Sequence, residues 1–282
     1  MAAEGLRVER ACGLVGVSVS GCWGWLRRPP CARSIRHVWL WGIISGIRSG
    51  SRQACGAKRV HAELVLGGGI AVCPQTVETL MRRAGLGGIS GRPKHRSIPS
   101  TPTASDLVDR DFARVEPDRL WAADITEHPA REGKVCCAVV LDTFSRRVVG
   151  WPRRFAAHRV AGRQRLGHGH RQRDPTADQT VIHSDQRTQF ASWAFTQRAV
   201  DSGLLRSMGS VRDCFDNAMI ESFWSRTQAE LLDPKRWRTR VEPANAIFEH
   251  LKISHNRQRR HSALGMLTPI EFENRHQHKP AA

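Results

Sequence analysis

Thr180-Val181-Ile182-His183-Ser184-Asp185 is a β-branched, apolar run with a polar tip. It reads as a buried strand that delivers a carboxylate at its C-terminal end. Downstream, Asp213-Cys214-Phe215-Asp216-Asn217-Ala218-Met219-Ile220-Glu221-Ser222-Phe223-Trp224 reads as a helix start. Asp216 or Asn217 can cap that helix, and Ile220, Phe223, Trp224, Thr227 and Leu231 then recur on one face. Glu221 falls in the first turn at the edge of this stripe, where a carboxylate can point across a groove. A third acid, Asp124, lies towards the end of another strand-like piece, Leu120-Trp121-Ala122-Ala123-Asp124-Ile125-Thr126. Three carboxylates from two strand ends and one helix are oxygen donors of the kind that hard divalent cations take.

The rest of the chain sets the context for those acids. Its 282 residues allow one good core plus a smaller module. A net charge of +18 with a pI near 11.0 makes a polyanion the expected partner. With no long apolar span, nucleic acid is favoured over membrane. The apolar run from Val38 to Ile44 contains a glycine and is far too short for a bilayer. No signal peptide is apparent, and the eight cysteines form no C-x-x-C pair. Neither a zinc site nor a disulfide framework is indicated, and a reducing cytoplasm is the expected location. Residues 1–100 carry 15 Lys and Arg against 4 Asp and Glu, a net of 15 − 4 = +11.

In chain order, residues 1–34 form a basic, helical lead broken by Pro29-Pro30. Residues 35–86 hold two helices joined by Gly67-Gly68-Gly69. The second starts at Pro74, repeats Val77, Leu80, Met81 and Ala84 on one face, and stops at Gly85. With Lys58, Arg59, Arg82 and Arg83 as basic residues, the pair fits a DNA-binding helix-turn-helix. The alternative is an ordinary helical hairpin with solvated arginines. Residues 87–118 read as a linker. From 119 to 235 the pattern is α/β: Leu120 to Thr126, Val135 to Leu141 and Arg147 to Trp151 suggest an antiparallel meander. Further strands follow at Thr180 to Ser184 and Leu204 to Met208, with helices at Trp193 to Asp201 and over 217–232. Residues 236–282 add a helical, basic extension with the run Asn256-Arg257-Gln258-Arg259-Arg260-His261. Arg257, Arg259 and Arg260 are candidates for DNA phosphates, a solvated face being the alternative.

These motifs together resemble the DDE transposases of small bacterial insertion sequences, whose catalytic core is shared with retroviral integrases. The matching signatures are Arg119-Leu120-Trp121-x-x-Asp124-Ile125-Thr126, Val139-Val140-Leu141-Asp142-x-Phe144-Ser145-Arg146-Arg147-Val148-Val149-Gly150-Trp151, Ile182-His183-Ser184-Asp185, Asp216-Asn217-Ala218-x-x-Glu221-Ser222-Phe223 and Asn256-x-x-Arg259-Arg260-His261-Ser262-Ala263-Leu264-Gly265. Thirty-five residues separate Asp185 from Glu221, the spacing usual for this class. The resemblance implies a ribonuclease H-like mixed sheet flanked by helices, preceded by the helix-turn-helix region. It also implies Asp124, Asp185 and Glu221 as the catalytic ligands of two Mg²⁺ or Mn²⁺ ions. Such ions, about 4 Å apart, activate water or a DNA 3′-hydroxyl for in-line displacement. Double-stranded DNA, as insertion-sequence ends and target, is the implied partner, with a homo-oligomer assembled on it. In this family an upstream reading frame is often fused to the catalytic chain. Asn217 caps its helix and is a candidate to steer DNA; His183 contacts the site or packs beneath it. Asp142 falls in a turn and reads as structural, while His168 and His170 read as surface residues.

The sequence also departs from the family pattern. Arg187 and Arg212 stand where glycines are usual, Gln228 where a basic residue is frequent, and tyrosine is absent from the chain. Cys136 and Phe215 occupy positions where tyrosine is common in the family. Residues 153–173 hold seven Arg, three His and no acid in place of an amphipathic covering helix. These departures keep open a rival reading, a decayed relic that binds DNA and catalyses nothing. If 152–173 reflect a local frame disruption, translating the other two frames across codons 150–180 yields an apolar helical pattern; finding none in either frame refutes the idea.

Overall fold

The structure, a computed structural model, describes residues 7–89, 108, 112–150, 173, 179–184, 199, 201–208 and 218–277. It divides into two compact units, residues 1–49 and 50–282. Among the described residues no helix is long and apolar enough to cross a membrane.

The first unit is helical. Helix α1 (Val8–Val15) ends at Gly16, whose φ of 71° is open to glycine without a Cβ clash. Ser18 caps α2 (Val19–Leu26), its Oγ accepting the Gly21 N–H at 3.1 Å. Helix α3 (Ala32–Gly50) is 19 residues long, extends well beyond the apolar run from Val38 to Ile44, and runs through Gly42 and Gly46. Leu40 and Ile44 are fully buried at i, i+4, and their packing outweighs the helix cost of about 1 kcal/mol per glycine.

The second unit starts with the expected helical pair. Helix α4 (Ala57–Ala62) widens into a π turn over Glu63–Gly67, and α5 (Pro74–Arg83) follows with proline at its first position. Val60, Leu64, Val77 and Met81 bury the facing sides. Arg82 and Arg83 lie exposed in the last turn of α5, where cations complement the helix dipole.

The mixed sheet has five strands in the order β3-β2-β1-β4-β5. The strands are β1 (Leu120–Ala130), β2 (Gly133–Asp142), β3 (Val148–Gly150), β4 (Val181–Ser184) and β5 (Leu205–Met208). β1, β2 and β3 form the antiparallel meander, while β4 and β5 add in parallel. The β1–β2 hairpin closes at Ala130 opposite Gly133, whose φ of 113° suits glycine alone. Each face of the sheet builds its own core. Ala122, Cys137, Val139 and Leu141 pack against Ile220, Phe223 and Trp224 of α6 (Ala218–Thr227, continued as π turns over Gln228–Leu232). Trp121, Ala123, Ile125, Ala138, Val140 and Ile182 share the opposite face.

The C-terminal extension seals the sheet edge. Helix α7 (Val241–Glu249) runs on through π turns over His250–Gln258. There the buried Asn256 amide accepts the Val148 N–H and donates to the Val148 carbonyl, both at 2.9 Å. A side chain thus supplies what a sixth strand would offer to edge strand β3. Helix α8 (Pro269–Gln277) places Glu273, 1% exposed, against the β2–β3 turn. Its carboxylate accepts from Ser145 Oγ at 2.6 Å, from Arg147 at 2.6 Å and from Arg173. Ser145 Oγ also lies 2.6 Å from Asp142 Oδ2. The one hydroxyl hydrogen is shared between the two carboxylates, and the Ser145 N–H donates to Asp142 Oδ2 at 3.1 Å. Burial outweighs these bonds and raises the Asp142 pKa to about 6. The structural reading of this turn acid holds.

Two predictions follow from these buried groups. Glu273→Ala leaves Arg147 without its carboxylate and Arg173 with Asp118 alone, and costs about 3–5 kcal/mol in urea unfolding; an unchanged midpoint refutes the bridging role. Burial lowers the His250 and His255 pKa values to about 3, so their stabilisation is present above pH 6.5 and lost as pH falls. Asp142, with its pKa raised, contributes in the opposite sense: its stabilisation is present below pH 4 and lost as pH rises through 6. From pH 7 to 5 each histidine therefore removes on the order of 2 kcal/mol while Asp142 returns on the order of 1. Net acid destabilisation is expected, and Asp142→Asn, which mimics the protonated acid, makes it steeper. Unfolding midpoints at the two pH values measure both.

Candidate active site

Strand alternation assigns the acids to a face. Ala122, Asp124 and Thr126 point to one side of β1, and Ala122 belongs to the core that α6 covers. Asp124 is therefore on the α6 side, 7% exposed, its Oδ1 accepting the Ile125 N–H at 2.7 Å. Two residues on, Thr126 Oγ1 accepts from Gln228 Nε2 at 3.0 Å. This bond ties the end of the Glu221 helix to the strand that carries Asp124, and it is what Gln228 does in place of a basic residue. Ile220 is fully buried, whereas Glu221, next in sequence, is exposed in the first turn of α6. The helix is anchored and its carboxylate is free of the core.

Parallel pairing brings in the third position. Ala123 lies opposite Ser184, so the residues directly preceding Asp124 and Asp185 are neighbours across the β1–β4 ladder. Asp185 itself lies outside the described residues. So do Asn217, Asp216, Phe215, Arg187, Arg212, His168 and His170, the frame-disruption segment apart from Arg173, and most of the expected 193–201 helix. Among the described residues no three His, Cys, Asp or Glu side chains gather into a metal set. His183 is 1% exposed, with Nδ1 at 3.0 Å from Ser207 Oγ and its ring edge-on to Phe112 at 5.5 Å.

The basic candidates separate by burial. Lys58, Arg82, Arg83 and Arg257 are exposed. Arg59 is half-buried and 3.8 Å from Glu230. Arg259 grips the same Glu230 with both guanidinium nitrogens, one at 2.7 Å. Arg260, 4% exposed, pairs with Glu63 and Glu271 and donates to the Met266 carbonyl at 3.2 Å. In the structure these two arginines hold the helical pair and α8 to the core. Two other cations that no pattern singled out, Arg146 and Arg226, line a cavity on the neighbouring face of α6. The one signal in the sequence was that Arg146 sits inside the Ser145-Arg146-Arg147 motif.

A mixed sheet with an acid at its centre, a second on the helix that covers it, and a helical pair ahead of both define an integrase-like polynucleotidyl transferase. Comparison with known proteins agrees. Residues 114–214 and 202–269 each match a family described as Integrase core domain, and 40–94 match an HTH-like domain. The chain is 34% identical, over 86% of its length and 81% of the relative's, to the transposase for insertion sequence element IS629 of Shigella sonnei. It is 30% identical, over 96% of its length and 100% of the relative's, to a 31 kDa protein of insertion element IS600 from the same organism. Among solved structures it is similar to a simian T-cell lymphotropic virus intasome bound to the PP2A regulatory subunit B56 gamma. That match has 14% identity, covers 84% of this chain and 73% of the other, and has a TM-score of 0.49. The chain belongs to the insertion-sequence transposases with an integrase core domain.

Proposed function

We propose that this transposase cuts insertion-sequence ends and joins them to target DNA by metal-dependent phosphoryl transfer. One observation carries the reading: β1 directs Asp124 to the face covered by the helix that bears Glu221, while β4 runs parallel beside it up to the residue before Asp185. The donor set fits a hard cation, since these are carboxylate oxygens without thiol or imidazole among them. Asp124, Asp185 and Glu221 would hold two Mg²⁺ or Mn²⁺ ions. Such ions, when bound, polarise the phosphate and stabilise the departing 3′-oxygen. The protein's own part is rigidity. Asp124 sits on a central strand paired on both sides, and Glu221 follows a fully buried Ile220, so neither carboxylate backbone must reorganise when DNA arrives.

DNA is engaged outside the acids by the exposed cations Lys58, Arg82 and Arg83 on the helical pair and Arg257 on the extension, with Asn217 steering near the helix start. Arg59, Arg259 and Arg260 support these elements from within. The domain plan that follows is a basic lead over 1–34, a DNA-binding pair over 35–86, a linker over 87–118, the catalytic core over 119–235 and a basic extension over 236–282. Acting on two ends calls for a homo-oligomer on DNA, and an upstream reading frame can supply a fused partner segment. The work is done in the bacterial cytoplasm.

The rival reading, a DNA-binding relic, is favoured by Arg187 and Arg212 at usual glycine positions and by the basic, acid-free sequence of 152–173 where the family has an amphipathic pattern. Cleavage of labelled end DNA with and without Mg²⁺ separates the two. The enzyme reading expects cleavage only with Mg²⁺ and its loss in Asp124→Asn, Asp185→Asn and Glu221→Gln alike. Salt-sensitive binding that ignores all three substitutions, with no cleavage, supports the relic.

A further inference from the structure

On the face of α6 adjoining Glu221, a cavity of about 100 Å³ opens between α6, the β2–β3 turn, the α7 extension and α4. Four guanidiniums line it, those of Arg59, Arg146, Arg226 and Arg259. Among the described residues, Glu230 is the carboxylate paired with Arg59 and Arg259, and no acid pairs with Arg146 or Arg226. The nearby histidines do not add to this charge. Burial, and then the arginines themselves, keep His250, His255 and His261 neutral. His255 donates through Nε2 to the Arg146 carbonyl at 2.9 Å, whereas the buried His261 Nε2 has no hydrogen-bond partner. A cluster of like charges with an orphaned polar atom is unfavourable unless something anionic completes it.

Arg146 adds a backbone argument. Its φ of 58° puts it in the left-handed region, where glycine or asparagine is far easier than a long side chain. The guanidinium is therefore present in spite of the turn it occupies. Its pKa, like that of Arg59, is pulled down by burial. Arg226 and Ser222 are exposed at the rim, and Phe223, Leu141 and His255 close the floor. Open at this rim, the cavity admits a tetrahedral oxyanion presented from outside.

We propose that this cavity is a second anion site of the chain. It takes a single backbone phosphate of DNA, with Arg146 and Arg226 as its cations and Ser222 and Ser262 as neutral donors. The proposal rests on the reading of the chain as a DNA-acting transposase and deepens it. Ser222 is the residue after Glu221, so a phosphate held here fixes the strand along the helix that carries the catalytic acid. Arginine suits the role through its planar fork of N–H donors.

The test uses the full chain, a random-sequence duplex and binding measured across salt. Wild type, Arg146→Asn, Arg226→Gln and the double variant are compared; asparagine keeps the left-handed turn comfortable. A single lost phosphate lowers the slope of log K against log salt by about 0.9. Because both arginines serve the same phosphate, the double variant loses about that much in total and not twice it. Thermal unfolding of the variants is expected to be unchanged or improved, since unpaired charge is removed. If the double variant destabilises the fold, the exposed Arg226→Gln alone carries the test. A duplex bound by the double variant with the wild-type slope and affinity overturns the cavity proposal and leaves the transposase reading standing. A wild-type chain that binds no duplex at any salt overturns both.

Discussion

The pairing of β1 on both sides is the constraint from which the rest of the second unit is built. A strand buried on both faces has no freedom in register, because a slip of one residue exchanges everything it presents to its two cores. Here that slip would carry Trp121, Ala123 and Ile125 to the α6 side and bury Asp124 among Val140, Ile182 and Ala199 on the other. A carboxylate there would lose its groove and meet only hydrocarbon. The tight hairpin from Ala130 to Gly133 pins the register against β2, and the parallel ladder with β4 fixes it from the opposite edge.

A chain this basic also has to manage its own cations, and it does so unevenly. Glu230 and Glu273 each pair with two arginines, and Glu63 and Glu271 share Arg260; these pairs join segments distant in sequence: α4 to the α7 extension, and α8 to the β2–β3 turn. Such pairs, buried or half-exposed, add little net stability, but each commits a guanidinium to one geometry. Among the described cations outside those clusters are the exposed Lys58, Arg82, Arg83 and Arg257 and, in the cavity beside α6, Arg146 and Arg226 with no acid partner. Both kinds remain available to a polyanion, and only the second is shaped to hold it at one place.

Much of this was legible from residue pattern. The meander from Leu120 to Gly150, the helix carrying Glu221, the glycine turn before Pro74 and the structural role of Asp142 were all readable from period, turn chemistry and apolar spacing. Other features were not. The Asn256 to His261 run read as a patch for phosphates, yet Asn256 seals a strand edge and Arg259 and Arg260 pair with acids 29 and 197 residues away. Local pattern has no access to a partner at that separation. Helix α3 likewise runs through two glycines because the burial of Leu40 and Ile44 outweighs backbone propensity.

Sequence by itself determined the kinds of elements, their order and the identity of the acids, because periodicity and motif spacing are local properties of the chain. Tertiary structure alone decided which sheet face Asp124 occupies, which arginines are engaged within the fold and which two, among the described residues, meet no acid in a cavity. Those outcomes depend on charges and hydrogen-bond partners that meet only once distant segments have packed.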